Sequence, residues 1–435
     1  MIDVTLFILY VLGVHTAFSF YWWTAFPIPY ILCGVASVLA LPRIVGGLIQ
    51  IRMRNSWSIP AFLIFATAVT LLTADVDNLD YSLRGVGQLV YSIGMAVSLY
   101  WLVLRIPRKR LSLVCLALLI VLAAVSALEA LGPLKGIVES AVAWLSPNWN
   151  YNADTRDLVM AGAIRSKAFA PEPSIAAGTF LWLSMLYLWS CPRIGPLQLT
   201  MWMTLLAVSL WAIRSPVFLL TLICGALLAG ARRLADHDSR APTMPKLRMV
   251  PVIFAIVLNL AVLLGAFNIF YERTIATESG EGSFIMRISG PFVFTRNFLM
   301  EHPILGVGVV GDLRGLTDEI EKAYDTFGLR MTESVEKSVS NRLALHFVYF
   351  GGVGSVVTIL LLMKSAYLDD RLLRWLFFSQ VLSILIMAGG YNNAPMWCQL
   401  SSILAVARVK LFFDRRMRPR RFAPSTLVPT HAALR

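Results

Sequence analysis

Charge is what this chain has least of. Only 14% of its 435 residues are Asp, Glu, Lys or Arg, and the 25 acidic residues are outnumbered by 38 basic ones. A soluble protein of this length would normally divide into two or three domains with charged surfaces, and that reading is excluded here. Cysteine and histidine are thin as well, at five each. Cys33, Cys115, Cys191, Cys224 and Cys398 fall within or beside apolar runs without CxxC spacing or any pairing logic. They read as lipid- or core-facing thiols rather than disulfides or metal ligands. The histidines are scattered, so no metal site and no cofactor is implied. The first apolar run lacks a basic leader and a small-residue cleavage site, and reads as a retained anchor. No internal repeat is visible, which weighs against transporters built from duplicated halves.

What is present is apolar sequence. Hydrophobic residues make up 57% of the chain, and runs of membrane-spanning length recur from end to end. They lack the alternation of a barrel strand, and only helices or closed barrels satisfy the backbone in lipid. The expected fold is therefore all-α, a polytopic transmembrane helical bundle of about twelve spans. The runs are 4–22, 28–50, 58–74, 85–104, 111–131, 174–190, 196–212, 216–230, 250–270, 343–363, 374–390 and 396–413. Residues 1–421 read as one transmembrane domain, and 422–435 as a disordered cytoplasmic tail.

The net charge of +13 does not point to nucleic acid, because the cations are spread over many loops. Anionic membrane lipid and the positive-inside bias explain most of it. Short loops carrying Arg52 and Arg54, then Arg105, Arg108, Lys109 and Arg110, then Arg232 and Arg233, then Arg415, Arg416 and Arg418 fall on one side. The acidic loop 75–80 falls on the other. Both termini are then cytoplasmic, and segments of about 132–173 and 271–342 lie outside. The Trp-bearing stretch 141–149 suits the interface, and the helix formers of 316–324 suit a small helical cap. Long charged loops on a rigid scaffold are where function usually sits.

Residues 165–178 read R-S-K-A-F-A-P-E-P-S-I-A-A-G and place Arg165, Lys167 and Glu172 directly before an apolar run. Ionisable groups at a membrane boundary are costly unless paired, hydrated or ligand-bound. A cationic pair followed by a carboxylate suits an anionic head group beside a hydroxyl that must lose a proton. That is chemistry on a lipid-linked substrate. Three further segments fall on the same side. They are 209–215 with Arg214, R-I-S-G at 287–290 continuing to E-H-P-I-L-G-V-G at 301–308, and S-N-R-L-A-L-H at 340–346 followed by G-G-V-G at 351–354. Arg165, Arg214, Arg287 and Arg342 each adjoin a membrane boundary, and arginine's fork of donors matches phosphate oxygens. Plainer readings stand beside these. Any one arginine can snorkel or pair locally. Glu172 can cap the next helix, and His346 can be a packing residue. His302 reads as structural, and Gly306 and Gly308 as a tight turn. Arg43, Glu129 and Arg408 fall near the ends of their runs.

In order and spacing, these segments resemble the O-antigen polymerase and O-antigen ligase superfamily of bacterial inner-membrane glycosyltransferases. The resemblance covers roughly residues 165–354. The superfamily's ligases share a His-Asn pair where this chain has Ser340-Asn341. That departure favours the polysaccharide polymerase branch, in which elements like Glu172-Pro173-Ser174 are familiar. The resemblance implies a donor repeat unit on undecaprenyl diphosphate and an acceptor hydroxyl on a second lipid-linked unit. It also implies a chain-length regulator and a flippase as partners, and a metal-independent transfer. Glu172, Arg287 and His346 are then the catalytic candidates, with Glu172 as base. Arg165, Lys167, Arg214, Asn341 and Arg342 are the substrate-binding candidates. A ligase-type glycan transferase and a lipid-linked oligosaccharide transporter remain alternatives.

Overall fold

The computed structural model describes residues 2–22, 26–28, 30–48, 58–74, 79–145, 165–191, 194–215, 217–218, 221–226, 289–309, 313–328, 339, 341–365, 368, 371–386 and 390–417. Arg287, most of the runs 216–230 and 250–270, and the tail 422–435 lie outside them.

The described chain is helical apart from one short hairpin. Helix α1 (Ile2–Thr16) leads to antiparallel β1 (Phe20–Trp22) and β2 (Phe26–Ile28), paired Phe20 to Ile28. There follow α2 (Ile31–Leu48), α3 (Ser58–Thr73), α4 (Leu79–Arg105), α5 (Arg108–Ala130) and α6 (Lys135–Leu145). Then come α7 (Pro173–Ser190), α8 (Pro196–Ile213), α9 (Gly290–Glu301) and α10 (Thr317–Asp325). The last are α11 (Arg342–Ser365), α12 (Arg371–Ile386) and α13 (Ala394–Met417). The expected single helix over 4–22 is corrected: it stops at Thr16, where Ala17 turns to φ 50° and the chain leaves for the hairpin. In the segment expected to form a cap, α9 packs on both α10 and α11.

Four of these helices are long and apolar enough to cross a membrane: Leu79–Arg105, Arg108–Ala130, Pro196–Ile213 and Arg342–Lys364. Their outward faces carry Leu113, Ile120 and Val121 on α5, and Val356, Leu360 and Met363 on α11, all exposed. Polar side chains are instead buried, among them Ser92, Ser126, Gln380 and Ser402. Apolar outside and polar inside is the distribution expected where lipid is the solvent. The chain is a helical membrane protein.

Helix α7 is its centre. Every residue from Ala176 to Ser190 is buried, against α5, α13, α8 and α1. Its tryptophans are seated by polar partners as well as by area. Trp182 Nε1 donates to Ser402 Oγ at 2.7 Å, and Trp189 Nε1 to Gln380 Oε1 at 2.7 Å. Buried indole N–H groups need such acceptors. At one end of the bundle, Arg105 pairs with Asp3 at 3.7 Å, and Arg108 donates to the Trp189 carbonyl at 3.1 Å. The C-terminal ends of α1, α5 and α8 therefore point to the opposite end, where α7 begins.

Helix α11 is broken. Gly351 has φ 68° and ψ −169°, a conformation essentially restricted to glycine. In a straight helix His346 and Thr358 would be about 18 Å apart. Here His346 Nε2 lies 3.2 Å from Thr358 Oγ1, so the two arms fold back on one another. The break frees backbone groups that lipid cannot satisfy, and residues 303–308 take them. Val307 N donates to Val348 O at 3.0 Å and Gly308 N to Tyr349 O at 2.9 Å. Val353 N donates to Pro303 O at 3.1 Å and Gly354 N to Ile304 O at 3.0 Å. The tight turn expected from Gly306 and Gly308 is thus a backbone interlock with the broken helix. Helix α3 fastens the far side, where Thr70 Oγ1 accepts from Val309 N at 2.8 Å. Thr70→Val keeps the shape and strands a buried N–H. It is expected to cost about 1–3 kcal/mol, read as a lower unfolding midpoint in detergent. An unchanged midpoint would remove that bond from the account.

Candidate functional site

The R-S-K-A-F-A-P-E-P segment lies against the ends of three helices. Ser166 N donates to Ala212 O, near the end of α8, at 3.0 Å. That bond sets Arg165 and Lys167 beside Arg214, which is the left-handed C-terminal residue of α8 at φ 50°, ψ 46°. Ala168 and Phe169 are also left-handed, at φ 48° and 70°. Two consecutive non-glycine residues in this region are a local strain that surrounding contacts must hold.

Those contacts come from α5 and α1. Glu129, only 8% exposed, accepts from Ser166 Oγ at 2.6 Å, from Ala168 N at 2.7 Å and from Lys167 N at 3.0 Å. His15 Nε2 lies 2.5 Å from Ala168 O, and its Nδ1 lies 3.2 Å from Thr179 Oγ1 on α7. Because Ala168 O can only accept, Nε2 carries the proton. The loop is therefore gripped through its backbone, and the side chains of Arg165 and Lys167 are only partly buried.

Glu172 precedes α7 with extended backbone, φ −138° and ψ 152°, and its carboxylate makes no capping bond to that helix. Its Oε2 accepts from Ser174 Oγ at 2.9 Å. Pro171 and Pro173 flank it, limiting how far its backbone can turn.

A second group gathers where α11 begins. Asn341 Oδ1 accepts from Leu343 N at 3.0 Å and Ala344 N at 3.2 Å, so it caps α11. Arg342 is 5% exposed; its Nη1 donates to Ile384 O at 3.0 Å, and Nε has no hydrogen-bond partner among the described residues. Tyr30 is close enough to interact with it electrostatically. Among the described residues no carboxylate pairs with Arg342. It also stands at the positive end of a helix dipole, which adds to the attraction for an anion. His346 is buried, its Nδ1 2.9 Å from Tyr391 Oη and its Nε2 3.2 Å from Thr358 Oγ1. With both ring nitrogens engaged inside the fold of α11, His346 braces the break.

Two groups of the sequence candidates thus form: Arg165, Lys167, Glu172 and Arg214 in one, and Asn341, Arg342 and His346 in the other. The end of α1 and the start of α2 connect them, since His15 touches the first, Tyr30 faces the second, and Ile31 N donates to Phe18 O at 3.1 Å. Arg287 lies outside the described residues. Sequence reasoning missed Glu129 and His15 as site residues. The available signal for Glu129 was a lone carboxylate inside the last turn of a long apolar run. Comparison with known proteins finds no matching family model, no matching curated protein and no matching solved structure.

Proposed function

We propose that this chain is a bacterial inner-membrane polysaccharide polymerase. It joins oligosaccharide repeat units carried on undecaprenyl diphosphate at the periplasmic leaflet. In this reading the chain has about twelve spans with both termini cytoplasmic, and the segments 132–173 and 271–342 face the periplasm. The observation that carries it is the Ser166–Ala212 backbone bond, which brings the segment of Arg165 and Lys167 to the end of α8 that bears Arg214, at the same end of the bundle as Arg342, with which no carboxylate pairs among the described residues. The order of the R-S-K-A-F-A-P-E-P-S, R-I-S-G and S-N-R-L-A-L-H segments supports it too.

In the reaction, the acceptor hydroxyl attacks the anomeric carbon of the donor sugar and the bond to the diphosphate oxygen breaks. The developing charge falls on the diphosphate, where Arg165, Arg214 and Arg287 stabilise it, with Lys167 alongside. Glu172 takes the acceptor proton, a role worth about 10²–10⁴ in rate. Arg342 holds an anionic portion of a lipid-linked unit. Asn341 acts by fixing the start of α11.

Alanine at Arg165, Arg214 or Arg287 is expected to abolish polymer while single lipid-linked repeats accumulate, scored by gel ladders of lipid-linked glycan. Normal chain length in all three variants rejects the diphosphate clamp. Glu172→Gln should depress turnover by about 10² or more while leaving donor affinity near wild type. Wild-type turnover in that variant removes Glu172 as base. One observation favours a transporter of lipid-linked oligosaccharide, the broken helix α11, because discontinuous helices line transporter sites. Against it, residues 303–308 occupy the backbone groups freed at the break. A counterflow assay in vesicles separates the two, with uptake and no new glycosidic bond selecting transport.

A further inference from the structure

We propose that Glu129 is the positioning residue of the cationic loop. Its carboxylate occupies the backbone anion nest of residues 166–168 and so aims Arg165 and Lys167 at the ligand. Among the described residues the loop is also held by the Ser166–Ala212 bond, by Ala170 N donating to Lys167 O at 2.9 Å, and by the His15 contact to Ala168 O. Glu129 contributes acceptors to Ser166 Oγ and to two successive backbone N–H groups, those of Lys167 and Ala168. Successive N–H groups pointing one way form a concavity that binds anions. Here the occupant is built into the protein.

The arrangement has two physical consequences. The first is geometric. Ala168 and Phe169 are held at positive φ, and the bond from Ala168 N to the carboxylate is one of the contacts that offset that strain. The second is electrostatic. Glu129 is a buried carboxylate beneath a loop that carries Arg165 and Lys167 to the end of α8 bearing Arg214, and a carboxylate so placed favours cations there. An anion arriving from outside therefore meets side chains already in place. Glu129 touches no reacting atom in this scheme and acts through the loop.

The clamp stands on geometry alone, and its consequence for binding rests on reading this end as an anion site. The experiment keeps the two apart. The chain is reconstituted in nanodiscs, and hydrogen exchange is followed for peptides covering 165–170, with the interior of α5 and α7 as internal references. In Glu129→Ala, exchange at Lys167 and Ala168 is expected to rise about tenfold or more, because a local opening loses its closing bonds. Exchange within α5 and α7 stays within about twofold. Glu129→Gln keeps an acceptor for Ser166 and Ala168 and should return the loop to within about threefold of wild type. It also serves if the alanine variant fails to fold, and is then compared with Ser166→Ala, expected to loosen the loop by about threefold.

A short-chain polyprenyl diphosphate is then titrated into the same samples. Glu129→Ala should weaken its binding about tenfold, and Glu129→Gln should largely restore it. Wild-type exchange at 165–170 in Glu129→Ala overturns the clamp. A loosened loop with wild-type diphosphate affinity overturns the positioning role, provided Arg165→Ala and Arg214→Ala still weaken binding. If those two arginine variants bind as wild type, the anion-site reading itself has failed.

Discussion

Gly306→Ala is expected to prevent stable folding of the bundle. A Cβ at this position would be driven into the Val348 carbonyl oxygen and would stand 2.7 Å from Gly351 N. Both are backbone atoms, so no rotamer change can relieve the contact. The collision falls where the four bonds between residues 303–308 and the arms of α11 cross over. Separating the two segments would leave several N–H and C=O groups unpaired in an apolar interior. Gly351→Ala meets the same interface from the other side, at φ 68° and with Leu305 C at 2.5 Å. For Gly351→Ala, backbone strain of about 1–3 kcal/mol adds to overpacking of similar size, and for Gly306→Ala the overpacking is against backbone alone, so each variant should lose about 3 kcal/mol or more. Folded yield from membranes and the thermal midpoint in detergent read this directly. A wild-type midpoint for Gly306→Ala would mean that the helix break is not built as described.

Arg342→Met is expected to remove polymer formation, by about 10²–10³-fold, without lowering stability. The two signs belong together. A buried guanidinium with no carboxylate among the described residues raises the energy of the empty protein, and exchange for an apolar side chain of similar length removes that cost. The lost bond to Ile384 O takes back about 1 kcal/mol. The midpoint should therefore stay level or rise while activity falls. A structural arginine would give the reverse, a lower midpoint with activity retained in proportion to folded protein. Arg342→Lys separates charge from fork geometry, and only partial recovery of product is expected from a point charge. Measuring midpoint and product in one preparation decides between the two roles.

The sequence made some of this legible because the information was local. Pro196 at the head of a largely apolar run announces helix α8, and the Arg105–Arg110 cluster marks the junction of α4 with α5. The motif around Arg165 was legible because charge before an apolar run is costly wherever it falls. What stayed hidden was set by distant partners. The break at Gly351 lies within a continuous apolar run, and the segment that satisfies it is some forty residues upstream. Glu129 looked like a boundary marker because its partners sit 37 to 39 residues away. Ala168 and Phe169 gave no warning of positive φ, since neither is a residue that favours it. His15 was one of five scattered histidines until α1 and α7 were brought side by side.

The central claim is that the basic side chains at one end of this bundle grip a diphosphate together. Affinity for a short-chain polyprenyl diphosphate, measured in nanodiscs for Arg165→Ala, Arg214→Ala and the double variant, tests it most directly. Each single change should weaken binding about tenfold, and the pair should lose less than the sum, with a coupling of about 0.5–3 kcal/mol. Binding at the wild-type level in all three variants would contradict the account.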